Sequence, residues 1–214
     1  MPAMEIHAPE GPIESWKDTA KHLAIITAGV LIALALEGVV AWADHRLLVR
    51  EATSNLTAEL RNNRKELNGL LTALDIESKQ LERASDLADL LLAKKPPARI
   101  ELALEWHDAE LKNAAVTTGQ ITGAFGYMEY KEVSRYADVY DLQAQFMRQQ
   151  EREVQHLTDV LAFVRRLDPP PSGAVNADAL ERWKSQIDTA IAGVGWLEIV
   201  GRQLLKRYDE LLTR

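Results

Sequence analysis

The most apolar stretch of the chain lies near its N-terminus, at residues 23–43. It reads LAIITAGVLIALALEGVVAWA, and Glu37 is its one charged residue. A helix rises about 1.5 Å per residue, so this run spans roughly 30 Å, the thickness of the hydrocarbon layer of a bilayer. Trp16 and Trp42 lie near its ends, where indole side chains favour the membrane interface. The pattern predicts a membrane-anchor helix over residues 15–43.

Beyond the anchor, apolar residues recur at spacings of three and four, which is the period of an amphipathic helix. Residues 44–94 contain no proline, and at the helical rise a helix of this length spans about 75 Å, enough for a stalk that leaves the membrane. Pro96 and Pro97 end this helix. Asn63 and Glu77 fall on its apolar stripe, where polar side chains fix register or partner number. The same period predicts further helices over residues 100–116, over 129–167 and from Asn176, which caps the last helix.

Glycines interrupt this pattern in two places. Residues 117–126 break the helical period, but no Lys-Ser or Lys-Thr pair follows the last glycine and no strand precedes it. The sequence therefore predicts a loop with a short helical turn there, and not a phosphate-binding loop. In the last helix, Gly193, Gly195 and Gly201 indicate either close packing against a neighbour or a local kink.

Each apolar stripe needs a partner to cover it. The sequence therefore predicts an all-α protein with three parts, a disordered leader (1–14), a membrane-anchor helix (15–43) and a helical domain (44–214). In this prediction the anchor helix continues into the long helix that follows it. The domain is then an antiparallel bundle of three long helices plus a short one.

Composition narrows the range of functions. The 214 residues carry a net charge of −7 and include no cysteine. No segment has the basic excess that nucleic acid requires, so nucleic acid is not predicted as a partner. The absence of cysteine removes disulfides, thiolate nucleophiles and cysteine-based zinc sites.

The sequence leaves open whether the anchor is cleaved and on which side of the membrane the helical domain lies. Ala41-Trp42-Ala43 resembles the small-x-small pattern of signal-peptide cleavage, although the leader is acidic and the apolar run exceeds a usual signal core. Two Lys residues precede the span within about fifteen positions and two Arg residues follow it, so the positive-inside rule is tied. A short leader that stays inside places the domain on the periplasmic side of a bacterial inner membrane.

Glu37 is an ionisable group inside the predicted span. Gly29, Ala33 and Glu37 are spaced by four residues and therefore share one face of the helix. Small residues let two spans approach closely, and protonated carboxyl groups can hydrogen-bond across such a contact. Alternatively, Glu37 reaches to the nearer headgroups. The first reading predicts self-association or contact with another membrane protein.

A set of residues in the N-terminal third follows a recognisable pattern, which consists of His7, Pro9, Pro12, Ser15 to Lys17, His22, Gly29 to Glu37, Trp42, His45, Arg46, Val49 and Glu51. With these residues the segment resembles a bacterial family of membrane-anchored helical proteins with a domain of unknown function. The family opens with H-x-P-x-x-P-x-x-S-W-K, continues with G-L-L-I-A-L-x-L-E and then has W-x-H-H-R. Asp44 stands at the first His of that last pair, which argues against a metal role there. The resemblance implies an N-terminal anchor and a helical domain, and it implies no activity.

Few residues suggest chemistry. Di-iron bundles use two Glu-x-x-His motifs, and Glu153 to His156 matches once without a second copy. These two residues are expected to flank an apolar stripe that contains Val154 and Leu157. No G-x-S-x-G motif occurs. The sequence predicts neither a metal site, nor a cofactor, nor an enzyme.

Two functions of different classes follow. The first is a non-catalytic protein-interaction or signalling module, in which a shift of the span passes into the helix that follows it. The second is a sensor that binds a small molecule inside the bundle. Its ligand would lie among four aromatic residues, Tyr136, Tyr140, Trp183 and Trp196.

Overall fold

A computed structural model describes residues 16–95, 102–167 and 176–213. Within these ranges the chain forms helices and no strand, which confirms the all-α prediction. The elements are α1 (Trp16–Leu92), α2 (Ala114–Ile121), a 3-10 turn (Ala124–Tyr127), α3 (Tyr130–Leu167) and α4 (Ala177–Leu212). The predicted leader and the proline-rich segments after α1 and α3 lie outside the described residues. The chain divides into two compact units, Met1–Leu48 and Val49–Arg214.

In the first unit, α1 presents apolar side chains on every side. Consecutive residues from Val30 to Ile32 are each more than half exposed, and so are Leu34 and Leu36. None of the most apolar 18-residue window is buried against the protein. Among the described residues, α1 is the one helix long and apolar enough to cross a membrane.

In the second unit, three long helices bury regular stripes. The buried positions of each helix recur at alternating spacings of three and four, as in the heptads of coiled coils. On α1 they include Leu56, Leu60, Asn63, Leu67, Leu70, Leu74, Glu77, Leu81 and Ala84, and on α4 they include Leu180, Trp183, Ile187, Ala190, Val194, Leu197, Gly201, Leu204 and Tyr208. The stripe on α1 runs the length of the domain, so residues 49–92 form a core helix of the bundle.

Contacts between side chains give the helix directions. Near the start of α3, Tyr140 bonds to Glu59, and further along both helices Gln143 bonds to Asn63, so α1 and α3 run in the same direction. Near the end of α4, Tyr208 also bonds to Gln143, whereas Trp183 at the start of α4 bonds to Val160. Hence α4 runs antiparallel to both.

The return between α1 and α3 is not the predicted helix. Residues 102–113 are not helical, and α2 begins only at Ala114. Glu105 bonds to Gln80 and Lys112 bonds to Asn63. The stretch of α1 between those two partners is about 25 Å long, which seven residues cover only when nearly extended. The alternation in this segment has a period of two, with Leu102, Leu104 and Trp106 half-buried and Ala103, Glu105 and His107 exposed.

Local contacts explain the start of α4 and two of its glycines. The Asn176 side chain accepts from the backbone N–H of Asp178 at 2.9 Å, which confirms the predicted cap of α4. A Cβ on Gly201 would lie 2.9 Å from Leu71, and one on Gly193 would overlap Glu153. A Cβ on Gly195 would meet nothing within 4 Å. Close packing therefore explains two of the three glycines, and α4 runs through all of them.

Candidate functional site

The four aromatic residues of the predicted ligand site do not come together. Tyr140 donates to Glu59 Oε1 at 2.7 Å near the start of α3. At the opposite end, Trp183 donates to the backbone oxygen of Val160 at 3.1 Å and stacks on Phe163. Roughly 30 Å of helix separates Tyr140 from Val160. Tyr136 lies one turn from Tyr140 and is buried, whereas Trp196 is 54% exposed.

The predicted contact face of the anchor lies in the first unit. Gly29, Ala33 and Glu37 are all exposed on α1. A Cβ added at Gly29 would meet nothing within 4 Å, so the described residues leave this face open. The role of the face in pairing stays a prediction.

Polar side chains inside the second unit hold the extended segment. Asn63 accepts from the backbone N–H of Lys112 at 2.9 Å and donates to its carbonyl oxygen at 2.7 Å. Gln150 makes the same two contacts with Ala109, at 3.0 and 3.1 Å. A buried peptide group without hydrogen-bond partners costs free energy. The side-chain amides of Asn63 and Gln150 supply the hydrogen bonds that a neighbouring strand would give to the extended segment. The polar residues on the stripes therefore position residues 102–113.

A second set of hydrogen bonds links the helices near the start of α3. Glu59 accepts from Tyr140 and from the backbone N–H of Ala115. Tyr208 donates to Gln143 Oε1 at 2.6 Å. Burial is the main cause that raises the pKa of both tyrosine hydroxyls, with the charge of Glu59 adding to it. Both hydroxyls therefore remain hydrogen-bond donors at neutral pH.

Two glutamates lie buried further along the bundle. Glu77 on α1 and Glu153 on α3 are each 1% exposed. Glu153 Oε1 accepts from Gln149 at 2.6 Å, and Oε2 lies 3.0 Å from Nδ1 of His156. The Glu153 carboxyl group occupies the space where a side chain on Gly193 would begin. The expectation that Glu153 flanks a stripe containing Val154 is wrong, since Val154 is 41% exposed.

Glu77 differs from Glu153 in its surroundings. Neither of its carboxyl oxygens has a hydrogen-bond partner among the described residues. Burial, and secondly repulsion from Glu153, raises the pKa of Glu77 to about 8. An ionised carboxylate buried without donors is strongly disfavoured. Burial and the lack of donors therefore both favour the neutral acid form of Glu77.

A shallow groove lies on the surface between α3 and α4, next to His156. It has a volume of about 100 Å³ and is lined by His156, Asp159, Ser185, Gln186 and Thr189. His156 both lines the groove and contacts Glu153. Across the described ranges, no group of three or more His, Asp or Glu side chains is placed to hold a metal ion.

No family model, curated protein or solved structure matches the chain. Function is therefore argued from the geometry above.

Proposed function

We propose that the chain is a single-pass membrane protein whose helical domain is a non-catalytic protein-interaction or signalling module. The observation that carries this proposal is the bare apolar window of α1, none of which is buried. Residues 30–36 are exposed without interruption, and a helix that is apolar on every side is typical of a membrane span. A single protein contact covers one face of a helix, whereas lipid covers all of them.

The helical domain supports the non-catalytic part of the proposal. Asn63, Gln143 and Gln150 are buried polar residues, and their amides bond to other residues of the chain. These groups hold the extended segment in place and are not left free to act on a substrate. The outer surfaces of the helices then remain for contacts with partners.

The proposed setting is the inner membrane of a bacterium, with the leader inside and the helical domain on the periplasmic side. The span associates with a second copy, or with another membrane protein, through Gly29, Ala33 and Glu37. Small residues on that face allow close approach of two helices. A reporter fused after Arg214 tests the side. We expect activity from a phosphatase fusion and no fluorescence from a green fluorescent fusion, and the reverse pattern would contradict the placement.

Because the chain contains no cysteine, single cysteine substitutions give a clean test of pairing. Ala33→Cys lies on the proposed contact face, and its neighbour Leu34→Cys points about 100° away around the helix. Oxidation in native membranes is expected to give a disulfide-linked dimer with A33C and several-fold less with L34C. Equal yields from both variants would contradict pairing through this face.

A further inference from the structure

We infer that Glu77 is a proton-binding group inside the helical bundle, a buried carboxyl group without hydrogen-bond partners that holds a proton near the hydrogen-bonded pair Glu153 and His156 of α3. This inference goes beyond the proposed function and does not depend on the membrane anchor.

The hydrogen bonds assign the proton to one partner. Glu153 lies beside donors from Gln149 and His156, an environment that suits an ionised carboxylate. Glu77 has no donor near either oxygen among the described residues, an environment that suits the neutral acid. Two carboxylates cannot both be charged at close range in a buried site without a large cost. One proton on Glu77 removes that cost.

The other elements around Glu77 and Glu153 carry few positive charges that could neutralise the two carboxyl groups in place of a proton. On α4, the buried residues within one turn of Gly193 are Ala190, Val194 and Leu197, and none of them is charged. The extended segment crosses α1 near Gln80 and carries Glu105 and His107 there, both exposed. On α3 the charged groups around Glu153 are His156, which contacts it, and the exposed Arg152, which donates to its partner Gln149. None of the hydrogen bonds or ion pairs of these cations reaches Glu77 among the described residues.

His156 lies between Glu153 and the solvent. Its side chain is 38% exposed, and its Nδ1 lies 3.0 Å from the buried Glu153 oxygen. The groove beside it is also lined by Asp159, Ser185 and Thr189, which keep that side of the ring in polar surroundings.

The first test measures unfolding of the full-length chain in detergent between pH 5 and 9. The comparison uses Glu77→Gln and the control Glu82→Gln, an exposed residue on the same helix. A folded-state pKa above the ordinary value of Glu means that stability is present at low pH and lost as pH rises towards about 8. Relative to E77Q, the unfolding equilibrium constant of the wild type is expected to rise about tenfold for each pH unit within that window.

The control is expected to follow the wild type. Parallel pH profiles for the wild type and E77Q would overturn the inference, because Glu77 would then titrate alike in the folded and unfolded chain.

A second test reads the proton directly. The infrared difference spectrum between the wild type and E77Q at pH 6 is expected to show the carbonyl stretch of a protonated carboxylic acid, and this band should disappear above about pH 9. In Glu153→Gln the band should disappear at a lower pH, since repulsion from Glu153 is removed. Absence of the band at pH 6 would overturn the inference. Stabilisation of the wild type at pH 8 by added Mn²⁺ or Zn²⁺, absent in E77Q, would also overturn it by showing a metal cation in place of the proton.

Discussion

Two glycines of α4 that are two residues apart should respond to alanine in opposite ways. Gly193 lies against the Glu153 carboxyl group, and Gly195 has nothing within 4 Å of an added Cβ. Both are in the same helix, so the intrinsic preference of helices for alanine over glycine, about 0.5–1 kcal/mol, applies equally to each. The difference between G193A and G195A therefore isolates the contact with Glu153.

The magnitude follows from what Glu153 must give up. A Cβ at Gly193 pushes the carboxyl group away from Gln149 and His156, and a buried polar group that loses its partner costs about 1–3 kcal/mol. After subtraction of the gain in helix preference, G193A is expected to destabilise the domain by up to about 2.5 kcal/mol. We expect G195A to stabilise it by up to about 1 kcal/mol. For a domain of this size, each kcal/mol shifts the melting temperature by roughly 2–4 °C.

Chemical unfolding in detergent, followed by circular dichroism, measures both variants. A double-mutant cycle with Glu153→Ala sharpens the test, because in that background no carboxyl group remains to collide with the new methyl group. The cost of G193A should then vanish and leave only the gain seen with G195A. The reasoning is refuted if G193A is as stable as G195A, or if its cost persists in the E153A background.

Two further substitutions test the packing of the bundle. Asn63→Ala removes the side chain that accepts from the Lys112 N–H and donates to the Lys112 carbonyl, which still accepts from Gln143. We expect a cost of about 1–3 kcal/mol in urea unfolding, since the Lys112 N–H loses its partner. The exposed neighbour Asn62→Ala should cost under about 0.5 kcal/mol, and equal costs would contradict the role of Asn63. Trp183→Phe keeps a ring for stacking but removes the N–H that donates to Val160 on α3, so it should cost about 1–2 kcal/mol. Trp196→Phe, at an exposed position, should have little effect. A larger cost for Trp196→Phe than for Trp183→Phe would contradict this assignment.

The long helices can be predicted from the local spacing of apolar residues, but the extended segment between α1 and α3 cannot. Residues on α1 and α4 repeat at heptad spacing, which is visible in any window of the sequence. Leu102, Leu104 and Trp106 fit a period of two, but the prediction of a helix gave that alternation no weight. The segment stays extended because Asn63 and Gln150, remote in sequence, bond to its backbone. Such partners are invisible to local periodicity.

Asn63 and Glu77 are buried as their place on the apolar stripe predicts, but the part of the buried polar site on α3 was missed for a related reason. Placing Val154 inside follows the rule that apolar residues are buried, yet Glu153 takes that position because Gly193 leaves room for its carboxyl group. One signal was available, since Gln143 and Gln150 are seven residues apart and so occupy the same heptad position. Polar residues repeating at that spacing indicate a buried polar layer. The partners of these polar residues on the other elements could be identified only from the structure.

The most direct test of the membrane anchor is flotation of the full-length chain with lipid vesicles after an alkaline wash. The wild type is expected to float with the vesicles if residues 23–43 cross the bilayer, as proposed. A double substitution of Leu31 and Leu34 by Arg, at about 2.5–3.5 kcal/mol for each charge at the centre of a span, should leave the chain in the soluble fraction. Recovery of the wild type in the soluble fraction, with no lipid bound, would contradict the anchor.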